Sequence, residues 1–430
     1  MTITFVGHGY VGLVTAAIFA DFGNTVYVIG HNKEKIENLN RGIVPIYEPG
    51  LEELVKKNVK AKRLIFTLDY KPSVPESDIV FIAVGTPTTK TGDADLSTVL
   101  GVAEKIGQNL KGYTVVATKS TVPAGTNKKV KRILEESKPQ GTEVDYASVP
   151  EFLREGSAIS DTTNPNRIVI GTDCKRAEEM LLKLHEPIHA PLVLTNFETA
   201  ELIKYASNAF LALKISYANA IAKLSELIGA DALQVLEGVG KDKRIGNMFL
   251  SPGPGYGGSC FPKDVRALIS IAKDNDYPFS LLEEVENINH QSRRDIVRKA
   301  RKILGDLRNK RIGILGLAFK ANTDDVRDAP AIDIINLLQN EGAKISAYDP
   351  KAMTTAALVL KNINYKKDAY EVSADADLLI ILTEWNEFRE LNFDTIKNTM
   401  KSPNIIDGRN LYEPQVMKDK GFNYIGIGGR

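Results

Sequence analysis

The sequence predicts an α/β fold in which two parallel sheets are separated by a helical middle segment. Short aliphatic runs alternate with segments of helical period from residue 2 to about 195, and again from 311 to the end. Residues 196–228 contain neither glycine nor proline, and their apolar residues recur every three or four positions. Continuous apolar strands that alternate with helices indicate parallel sheets covered on both faces. We therefore expect an N-terminal Rossmann-like parallel sheet, a long central helix and a second, smaller Rossmann-like α/β domain.

The individual elements follow from the same patterns. The first part should form strands at 3–6, 25–29, 78–84, 113–118 and 167–171, and amphipathic helices at 10–22, 96–109 and 125–136. The middle part should form helices at 196–230, 262–275 and 278–304. Further strands are expected at 311–317, 344–349, 378–382 and 404–407.

Composition excludes several functional classes. The 430 residues are 43% hydrophobic and 25% charged, which is ordinary for a globular protein, and the length predicts two or three domains. A formal net charge of +1 gives no electrostatic reason to expect nucleic acid or a membrane surface as a partner. The longest aliphatic run, at 378–382, is too short to span a bilayer, and the N-terminus lacks the pattern of a secretory leader. Two cysteines cannot form a disulfide framework, so we expect a reduced, cytoplasmic protein.

A glycine motif opens the first predicted helix. Gly7, Gly9 and Gly12, with Tyr10 and Val11 among them, directly follow the first strand in the sequence GHGYVG. Glycines at this spacing permit a tight turn, close approach of a pyrophosphate and close helix–strand packing, while the helix N-terminus supplies amide donors. The motif alone is often a plain turn, but its place between strand and helix favours a dinucleotide site. Residues 312–320 repeat the pattern without the later glycines, so we expect two related sheets rather than two equal cofactor sites.

The end of the second strand lacks an expected acidic residue. In sites that prefer NAD, an acid at this position accepts the hydroxyls of the adenosine ribose. Here Gly30, His31, Asn32 and Lys33 follow the strand instead. Either another loop supplies the acid, or the position leaves room and positive charge for the 2′-phosphate of NADP.

Lys204 and Asn208 lie four residues apart on the predicted central helix and therefore share one face. The more common outcome for such a pair is a solvated lysine and an asparagine that packs. On a helix that is otherwise apolar on two sides, the pair also indicates a polar site.

Cys260 lies at or just before a helix start, because Pro262 is suited to a first helical turn. That position favours the nucleophilic thiolate, and Asp264 follows within reach of the same pocket. A lone cysteine is usually buried and inert. Three glycines just before it let backbone approach a ligand closely, which favours the functional interpretation. These are Gly255, Gly257 and Gly258.

Two further segments follow predicted strands. Residues 118–126, which include Thr121, should lie at the carboxyl edge of the first sheet, where open α/β sheets bind ligands. Residues 149–156 place Glu151 and Glu155 in a loop or first helical turn, where a solvated pair is the default expectation.

Taken together, these segments resemble the UDP-glucose/GDP-mannose dehydrogenase family along nearly the whole chain. The motifs stand in family order: GHGYVG, IYEPGLEELV, GTPT, KSTVPAGT, PEFLREGSAI, ELIKYASNAFLALKIS, RIGNMFLSPGPGYGGSCFPKD, GLAFK, DDVRDAP and DGRN. Ser259 before the cysteine and FPKD after it favour the branch that acts on UDP-glucose over those that act on 2-acetamido sugars. We assign a dinucleotide-binding Rossmann domain to 1–195, a central helical dimerisation domain to 196–304 and a UDP-sugar-binding α/β domain to 305–430.

The activity that the resemblance implies is that of a UDP-glucose 6-dehydrogenase, a two-step, four-electron oxidation of UDP-glucose to UDP-glucuronate. Cys260 would be the nucleophile that forms a thiohemiacetal and then a thioester. The other implied catalytic residues are Lys204 and Asn208 for the oxyanions, Asp264 and Thr121 for bound water and proton transfer, and Glu151 as a base in thioester hydrolysis.

The resemblance also implies the binding residues. NAD is the implied cofactor, with NADP as an alternative because Gly30 replaces the usual acid. Cofactor contacts would be Gly7, Gly9, Tyr10, Val11, Gly12, Gly30, His31, Lys33, Thr86, Thr121, Glu155 and Arg327. Substrate contacts would be Glu151, Phe152, Leu153, Lys204, Asn208, Phe249, Leu250, Ser251, Tyr256, Gly257, Lys320 and Arg409, with Arg244 reaching in from the neighbouring subunit of a homodimer built on the long helix. No metal is implied.

Other functions stay open at this point. The sugar nucleotide could be GDP-mannose or UDP-galactose. A two-electron hydroxy-acid dehydrogenase shares the Rossmann start and a helical Lys/Asn pair, but it needs neither Cys260 nor a second α/β domain. A non-enzymatic sensor of nucleotide sugars would have no use for the residues suited to thioester chemistry.

Overall fold

The computed structural model describes residues 1–89 and 92–429, which form two compact units. The first unit comprises Met1–Ser207 with Arg266–Ile271, and the second comprises Asn208–Val265 with Ala272–Arg430. The predicted fold class is confirmed, because each unit contains a largely parallel sheet. A long helix follows the strands of the first sheet and precedes those of the second sheet in the sequence. The division into three domains stays a prediction.

The first unit is built on one sheet. Within the described residues its strands are β1 (Thr2–Val6), β2 (Thr25–Ile29), β3 (Leu64–Thr67), β4 (Ile79–Ile82), β5 (Tyr113–Thr118), β6 (Glu143–Ser148), β7 (Ile168–Gly171) and β8 (Leu192–Thr195). They lie in the order β3-β2-β1-β4-β5-β6-β7-β8, and only β6 and β7 pair in antiparallel fashion among these described strands. The order reverses at β1, which lies between β2 and β4. In open α/β sheets, a ligand crevice forms at such a reversal point.

Helices cover both faces of this sheet. They are α1 (Tyr10–Asp21), α2 (Lys33–Asn40), α3 (Leu51–Lys60), α4 (Ser97–Asn109), α5 (Thr126–Ser137), α6 (Ala158–Thr163) and α7 (Lys175–His185), with a 3₁₀ turn at Val74–Glu76. Side chains alternate between faces along a strand. Phe5 and Phe81 therefore pack on one face with α1, while Val6 and Val80 pack on the other. Apolar side chains on both faces explain why the strands read as continuous aliphatic runs.

The middle of the chain is helical. Its elements are α8 (Phe197–Ile228), α9 (Ala232–Gly240), α10 (Phe261–Asp274) and α11 (Ser280–Leu304). Helix α8 extends over almost all of the predicted 196–230, and it contributes Phe197–Ser207 to the first unit and its remainder to the second. No helix within 1–89 and 92–429 is long and apolar enough to cross a membrane.

The second unit contains a smaller parallel sheet. Its strands in the described chain are β9 (Arg311–Leu315), β10 (Lys344–Tyr348), β11 (Asn364–Tyr365), β12 (Leu378–Ile381), β13 (Asn404–Asp407) and β14 (Asn423–Ile425), in the order β11-β10-β9-β12-β13-β14. Its helices are α12 (Pro330–Asn340), α13 (Met353–Val359), α14 (Ala369–Ser373), α15 (Asn386–Arg389), α16 (Phe393–Thr399) and α17 (Pro414–Asp419). Strand β9 occupies the same reversal position here that β1 occupies in the first sheet.

The end of β9 explains why this second sheet does not repeat the first site. A buried carboxylate, Asp349, accepts hydrogen bonds from the backbone amides of Leu317 (2.7 Å) and Ala318 (3.0 Å). It also accepts one from the indole of Trp385 at 3.1 Å. The amides that follow this strand are thus already bound by an anion of the protein itself. This agrees with the expectation of two related sheets with unequal ligand sites.

Candidate active site

The three motif glycines have separate structural reasons. Gly7 has a φ of +121°, and its amide donates to the carbonyl of Ile29 at 2.9 Å. A Cβ on Gly7 would overlap the carbonyl oxygen of Ala83, and one on Gly12 would overlap the carbonyl oxygen of Gly7. A Cβ on Gly9 would meet no atom within 4 Å. Gly7 and Gly12 are therefore required for packing, while Gly9 faces open space in front of the helix.

This open space suits the pyrophosphate of a dinucleotide. Helix α1 begins at Tyr10 with no side-chain cap and no acidic residue in its first turn. A helix N-terminus of this kind offers amide donors and a positive dipole end to an anion. The residues present thus fit a dinucleotide at the carboxyl end of β1.

A buried glutamate joins the glycine turn to the loop that carries Glu151. The carboxylate of Glu48 accepts a hydrogen bond from the hydroxyl of Tyr10. It also accepts bonds from the backbone amides of Gly156 (2.6 Å) and Ala158 (2.8 Å). Glu48 was not singled out from the sequence, although its place in the motif IYEPG was a signal.

Glu151 is part of a buried ion pair. Its carboxylate lies 2.9 Å from the ammonium of Lys119, and it accepts bonds from the amides of Phe152 (2.8 Å) and Leu153 (3.1 Å). Burial alone would raise the pKa of this carboxyl, but Lys119, these amides and the charge of Lys204 outweigh it and hold the pKa below its ordinary value. The expected solvated pair is therefore wrong for Glu151. Lys119 was missed, since a lysine directly after an aliphatic strand gives no sign of its partner.

Lys204 is buried rather than solvated, so the common alternative for this lysine is wrong. Its ammonium lies 5.0 Å from the ring centroid of Phe152, and the guanidinium of Arg167 lies 3.9 Å from the same centroid. A cation over an aromatic face is held by the ring's quadrupole. Phe152 therefore holds the Lys204 ammonium close to the loop that carries Glu151.

The loops after β4 and β5 are tied to each other. Thr86 donates its hydroxyl to the carbonyl of Thr121 at 2.8 Å, and Ser120 donates to the carbonyl of Val84 at 2.7 Å. These bonds hold Thr86 close to Thr121 at the carboxyl edge of the sheet, where the pattern predicted residues 118–126. Glu155 is buried in the loop after β6.

A second glutamate fixes the segment after Thr121. Glu201 of α8 accepts bonds from the amides of Gly125 (2.6 Å) and Asn127 (2.8 Å), where α5 begins. The side-chain amide of Asn127 donates to the same carboxylate at 2.7 Å. Glu201 thus caps α5 from another helix, one turn before Lys204.

In the second unit, Asn208 and Asp264 are bonded to each other. The amide of Asn208 donates to Asp264 at 2.5 Å, and the ammonium of Lys263 donates to the other carboxylate oxygen at 2.5 Å. Asp264 and Asn208 are both buried. Lys263 was not singled out, although it belongs to the FPKD motif.

Cys260 is exposed and is the N-cap of α10, as Pro262 predicted. Its carbonyl accepts the amide of Asp264 at 2.9 Å, which places the thiol and this carboxylate on the first turn of one helix. The hydroxyl of Ser259 lies 3.5 Å from the sulfur. Cys260 is therefore not buried, as the alternative interpretation of a lone cysteine would require.

The glycines before Cys260 pack against protein. A Cβ on Gly255 would overlap the side chain of Asn289, one on Gly257 would overlap the carbonyl of Asp328, and one on Gly258 would lie 2.8 Å from the ring of Phe319. Protein atoms thus fill the space into which a side chain at each position would point, which gives these glycines a packing reason, and close approach of a ligand to their backbone stays a prediction.

The remaining predicted substrate residues of the second unit lie around α10 and the second sheet. Phe249, which has a φ of +65°, and Tyr256 lie about Phe261, with ring centroids 6.0 Å and 6.1 Å from its own. Leu250 is buried and Ser251 is exposed. Arg409 donates to the carbonyls of Leu382 (2.8 Å) and Phe319 (3.0 Å). Lys320 lies over the ring of Phe319 at 5.4 Å.

Two arginines predicted to bind ligands are exposed and paired locally. Arg327 binds Asp325 and Arg244 binds Asp242, each two residues away. Surface pairs of this kind contribute little stability and leave the side chain able to change partner. In the described part of the chain, no group of three or more metal-ligating side chains occurs.

Comparison with known proteins agrees with this geometry. Three family models match in order: the NAD binding domain of the UDP-glucose/GDP-mannose dehydrogenase family at 1–189, its central domain at 198–291 and its UDP binding domain at 313–414. A UDP-glucose 6-dehydrogenase of Rhizobium meliloti is 49% identical over 435 residues, covering 100% of this chain and 99% of the relative. UDP-glucose 6-dehydrogenase TuaD of Bacillus subtilis is 49% identical over 427 residues, covering 99% and 93%.

A solved structure of a UDP-glucose dehydrogenase from the hyperthermophilic archaeon Pyrobaculum islandicum has a TM-score of 0.93 and 38% identity, and covers 100% of this chain and 97% of its own. A UDP-D-ManNAc dehydrogenase from Pyrococcus horikoshii has a TM-score of 0.88 and 29% identity, with 100% and 99% covered. The chain therefore belongs to the UDP-glucose/GDP-mannose dehydrogenase family and is an NAD-dependent oxidoreductase.

Proposed function

We propose that this protein oxidises the C6 alcohol of UDP-glucose to a carboxylate in two steps without releasing the aldehyde. The observation that carries the proposal is Cys260, an exposed thiol at the N-cap of α10 whose first turn also holds Asp264. The match to a UDP binding domain and the two relatives named UDP-glucose 6-dehydrogenase support the substrate. NAD, when bound, accepts the hydride of each oxidation.

The thiol gives the second oxidation a covalent intermediate. The Cys260 thiolate adds to the carbonyl carbon of the aldehyde, and the oxygen takes a proton to give a thiohemiacetal. Loss of a hydride and of the hydroxyl proton turns this adduct into a thioester. Water then attacks the acyl carbon, the carbon–sulfur bond breaks, and the carboxylate leaves with the thiolate restored. Thiolate is suited to this role because it adds readily and also leaves readily.

The polar residues would serve the charges of these steps. We propose that Lys204 and Asn208 donate to the oxyanions, which matches a buried ammonium and a buried amide one turn apart on α8. Asp264 would hold the bound water, and Thr121 would assist the proton transfers. Glu151, kept ionised by Lys119, would orient and deprotonate the water that cleaves the thioester.

The other predicted binding residues keep the roles given above as proposals. Tyr10, Val11 and the three motif glycines would hold the dinucleotide, with Thr86, Glu155 and Arg327 toward it. Phe152, Leu153 and the aromatic cluster about Phe261 would contact the sugar nucleotide, with Lys320 and Arg409. We also propose that NADP serves as an acceptor beside NAD, because Gly30 stands directly after β2 where the acid is usually found.

We further propose that the protein works as a homodimer formed through α8. Phe210, Tyr217 and Leu224 are exposed apolar residues of this helix, each seven residues from the next. Such spacing places them along one seam, which is the pattern of helices that pair with copies of themselves. Arg244, whose exposed guanidinium pairs with Asp242 two residues away, would reach the neighbouring subunit's substrate.

Reaction stoichiometry is the decisive test. We expect about two reduced cofactors per UDP-glucose consumed, with no free aldehyde, since the mechanism couples two oxidations on one thiol. GDP-mannose and UDP-galactose should be tested beside it as alternative substrates. One reduced cofactor per sugar with accumulating aldehyde would instead indicate a two-electron dehydrogenase, and binding without turnover would indicate a sensor.

A further inference from the structure

The edge of the first sheet at the end of β2 has basic residues where an NAD-selective site has an acidic one. Gly30 is enclosed: a Cβ there would lie 2.6 Å from Cδ1 of Ile36 and 3.0 Å from Nδ1 of His8. An acidic side chain at this position would have to displace both neighbours. The missing carboxylate is therefore a consequence of how this edge packs.

A histidine pair lies where the carboxylate would be. His8 is only 8% exposed, and its ring centroid lies 5.1 Å from that of His31. Burial, together with the charges of His31 and Lys35, holds the pKa of His8 below its ordinary value. His8 makes no hydrogen bond within the part of the chain that the structure describes. In the free protein the His8 ring is therefore neutral and nearly buried. The charges that act on it are positive, so an anion bound beside it would stabilise its protonated form.

The side-chain oxygen of Asn32, a neutral acceptor at this edge, already accepts one hydrogen bond. Asn32 is the N-cap of α2, and its side-chain oxygen accepts the amide of Lys35 at 3.0 Å. A neutral amide oxygen that already accepts one bond is a weaker acceptor for the hydroxyls of an unphosphorylated ribose than a free carboxylate would be. Lys33 is exposed, and its ammonium lies 3.9 Å from the carboxylate of Glu37. This separation is long for an ion pair, so the charge of Lys33 remains available to a ligand.

We propose that this edge binds the 2′-phosphate of NADP and that the His8–His31 pair takes up a proton from solvent when it does so. The proposal rests on the proposed function only in that the dinucleotide occupies the GHGYVG turn. A dianionic phosphate beside the two rings reverses the unfavourable charge balance and forms charge-assisted hydrogen bonds with imidazolium. NADP is therefore favoured over NAD at low pH, and the preference is lost as pH rises and the rings become neutral.

Calorimetric titration of the free protein with NADPH and with NADH tests this without turnover. Titrations between pH 6.5 and 8.5, in buffers of different ionisation enthalpy, give both affinities and the number of protons bound. The phosphate's own second pKa is about 6, so it stays mainly dianionic in this range. We expect proton uptake with NADPH and not with NADH. We also expect the preference for NADPH to fall by about 10-fold across the range, the factor that one charge-assisted hydrogen bond contributes.

Variants separate the histidines from the general positive charge. His8→Asn and His31→Asn should each reduce the proton uptake and flatten the pH dependence, and His31→Asn, on an exposed residue, covers the case in which His8→Asn does not fold. Lys33→Gln, on an exposed lysine whose charge does not act on His8, should weaken NADPH binding at every pH without changing the slope. His189→Asn, on an exposed histidine of the same unit, is the matched control and should behave as wild type.

NADPH binding without proton uptake, a preference that does not vary with pH, or loss of the effect in His189→Asn would each overturn the proposal. Binding of NADH without binding of NADPH would also overturn the proposal for the 2′-phosphate, but it would still support a dinucleotide site at the GHGYVG turn. Failure of both dinucleotides to bind would instead contradict the cofactor site itself.

Discussion

The two cysteines of this chain occupy the same kind of position but differ in their neighbours. Cys260 caps α10 and Cys174 caps α7, so a helix N-terminus alone does not distinguish them. Cys174 is half-buried, and its sulfur donates to Asp145 at 3.0 Å. Burial and this carboxylate raise the pKa of the Cys174 thiol, which keeps it in the unreactive protonated form. Cys260 is exposed, and the polar group beside its sulfur is the hydroxyl of Ser259 at 3.5 Å.

We therefore expect Cys260→Ala to abolish acid formation while leaving UDP-glucose binding largely intact. In the proposed mechanism the thiol forms the covalent intermediate and does not anchor the substrate. Cofactor reduction and calorimetric binding of UDP-glucose, measured on the same preparation, separate the two effects. Cys174→Ala is the matched control and should retain nearly full activity. Equal damage from both substitutions would remove the basis for the nucleophile.

The Lys204–Asn208 pair gives a second prediction at this scale. Lys204→Ala and Asn208→Ala should each lower kcat by roughly 10²–10³, the usual cost of removing one oxyanion donor. Asn208→Ala also removes the bond to Asp264, so Asn208→Asp should not restore activity, since it places two carboxylates together. Steady-state kinetics on folded variants is the measurement. Turnover near wild type in both alanine variants would show that the pair is structural.

The Lys119–Glu151 pair predicts a shift in the pH profile. In Lys119→Gln the ammonium is lost, burial acts with less opposition, and the pKa of Glu151 should rise. If turnover needs ionised Glu151, the acid limb of the kcat profile moves to higher pH, while the plateau on the alkaline side remains. Lys131→Gln, on an exposed lysine paired with Asp173, should leave the acid limb in place. An unmoved limb in Lys119→Gln would contradict the role of Glu151 as base.

At the scale of elements, the end of α7 contains a titratable group that couples stability to pH. His185 is buried, lies edge-on to Phe19 with ring centroids 5.4 Å apart, and has Nδ1 2.8 Å from the carbonyl of Leu181. Burial, followed by the charge of Lys119, lowers the pKa of His185 to about 4. The folded state therefore resists the protonation that the unfolded state accepts near pH 6.5.

Because the folded-state pKa is depressed, this contribution to stability is present above pH 6.5 and is lost as pH falls from there to about 4. The loss should reach about 3 kcal/mol in the free energy of unfolding, from roughly 1.4 kcal/mol per pH unit. Urea unfolding between pH 7 and 4.5 measures it, and His185→Gln should have a shallower slope than wild type. His189→Gln, on an exposed histidine, should keep the wild-type slope. Equal slopes in all three proteins would contradict the buried, neutral ring.

Elements whose patterns reflect burial could be predicted from the sequence, and those fixed by neighbours could not. Aliphatic strands such as β4 and β12 and the long α8 were expected within a few residues of their bounds. Strand β6, with the sequence EVDYAS, was missed because polar residues interrupt its apolar pattern. Strand β8, with the short sequence LVLT, was also missed, and its leucines are exposed at the sheet edge. Both are strands because their neighbours in the sheet pair with them.

The same distinction applies to the candidate site. GHGYVG and the position of Cys260 before Pro262 are local signals, because a turn and a helix start depend on adjacent residues. Glu48, Lys119 and Glu201 act through partners 32 to 110 residues away, so a local pattern does not reveal those partners. The glycines before Cys260 had an evident signal, but the sequence did not show that side chains at these positions would overlap distant protein segments.

At the scale of the whole molecule, the exposed apolar face of α8 demands an explanation. Phe210 is 61% exposed, and Leu227 and Ile228 at the end of the helix are 74% and 69% exposed. From 210 to 228 the face extends about 27 Å at 1.5 Å per residue. Contiguous apolar surface of this length is unusual on a monomer and typical of an interface. The seven-residue spacing of Phe210, Tyr217 and Leu224 fits a second copy of the same helix.

We therefore expect the wild type to be a dimer or a larger even assembly, and Phe210→Glu and Tyr217→Glu to shift it toward monomer. Each substitution places an unpaired charge in the seam, where desolvation without a partner is costly. Light scattering after size-exclusion chromatography, over a range of concentrations, gives the mass. Leu358→Glu, on a leucine of α13 that is 74% exposed, is the matched control and should leave the mass unchanged.

Because Arg244 is proposed to complete the neighbouring subunit's site, kcat/KM for UDP-glucose should fall as the variants dissociate. A monomeric wild type with full activity would contradict both the seam and the shared site, whereas dimeric glutamate variants would place the interface on another surface.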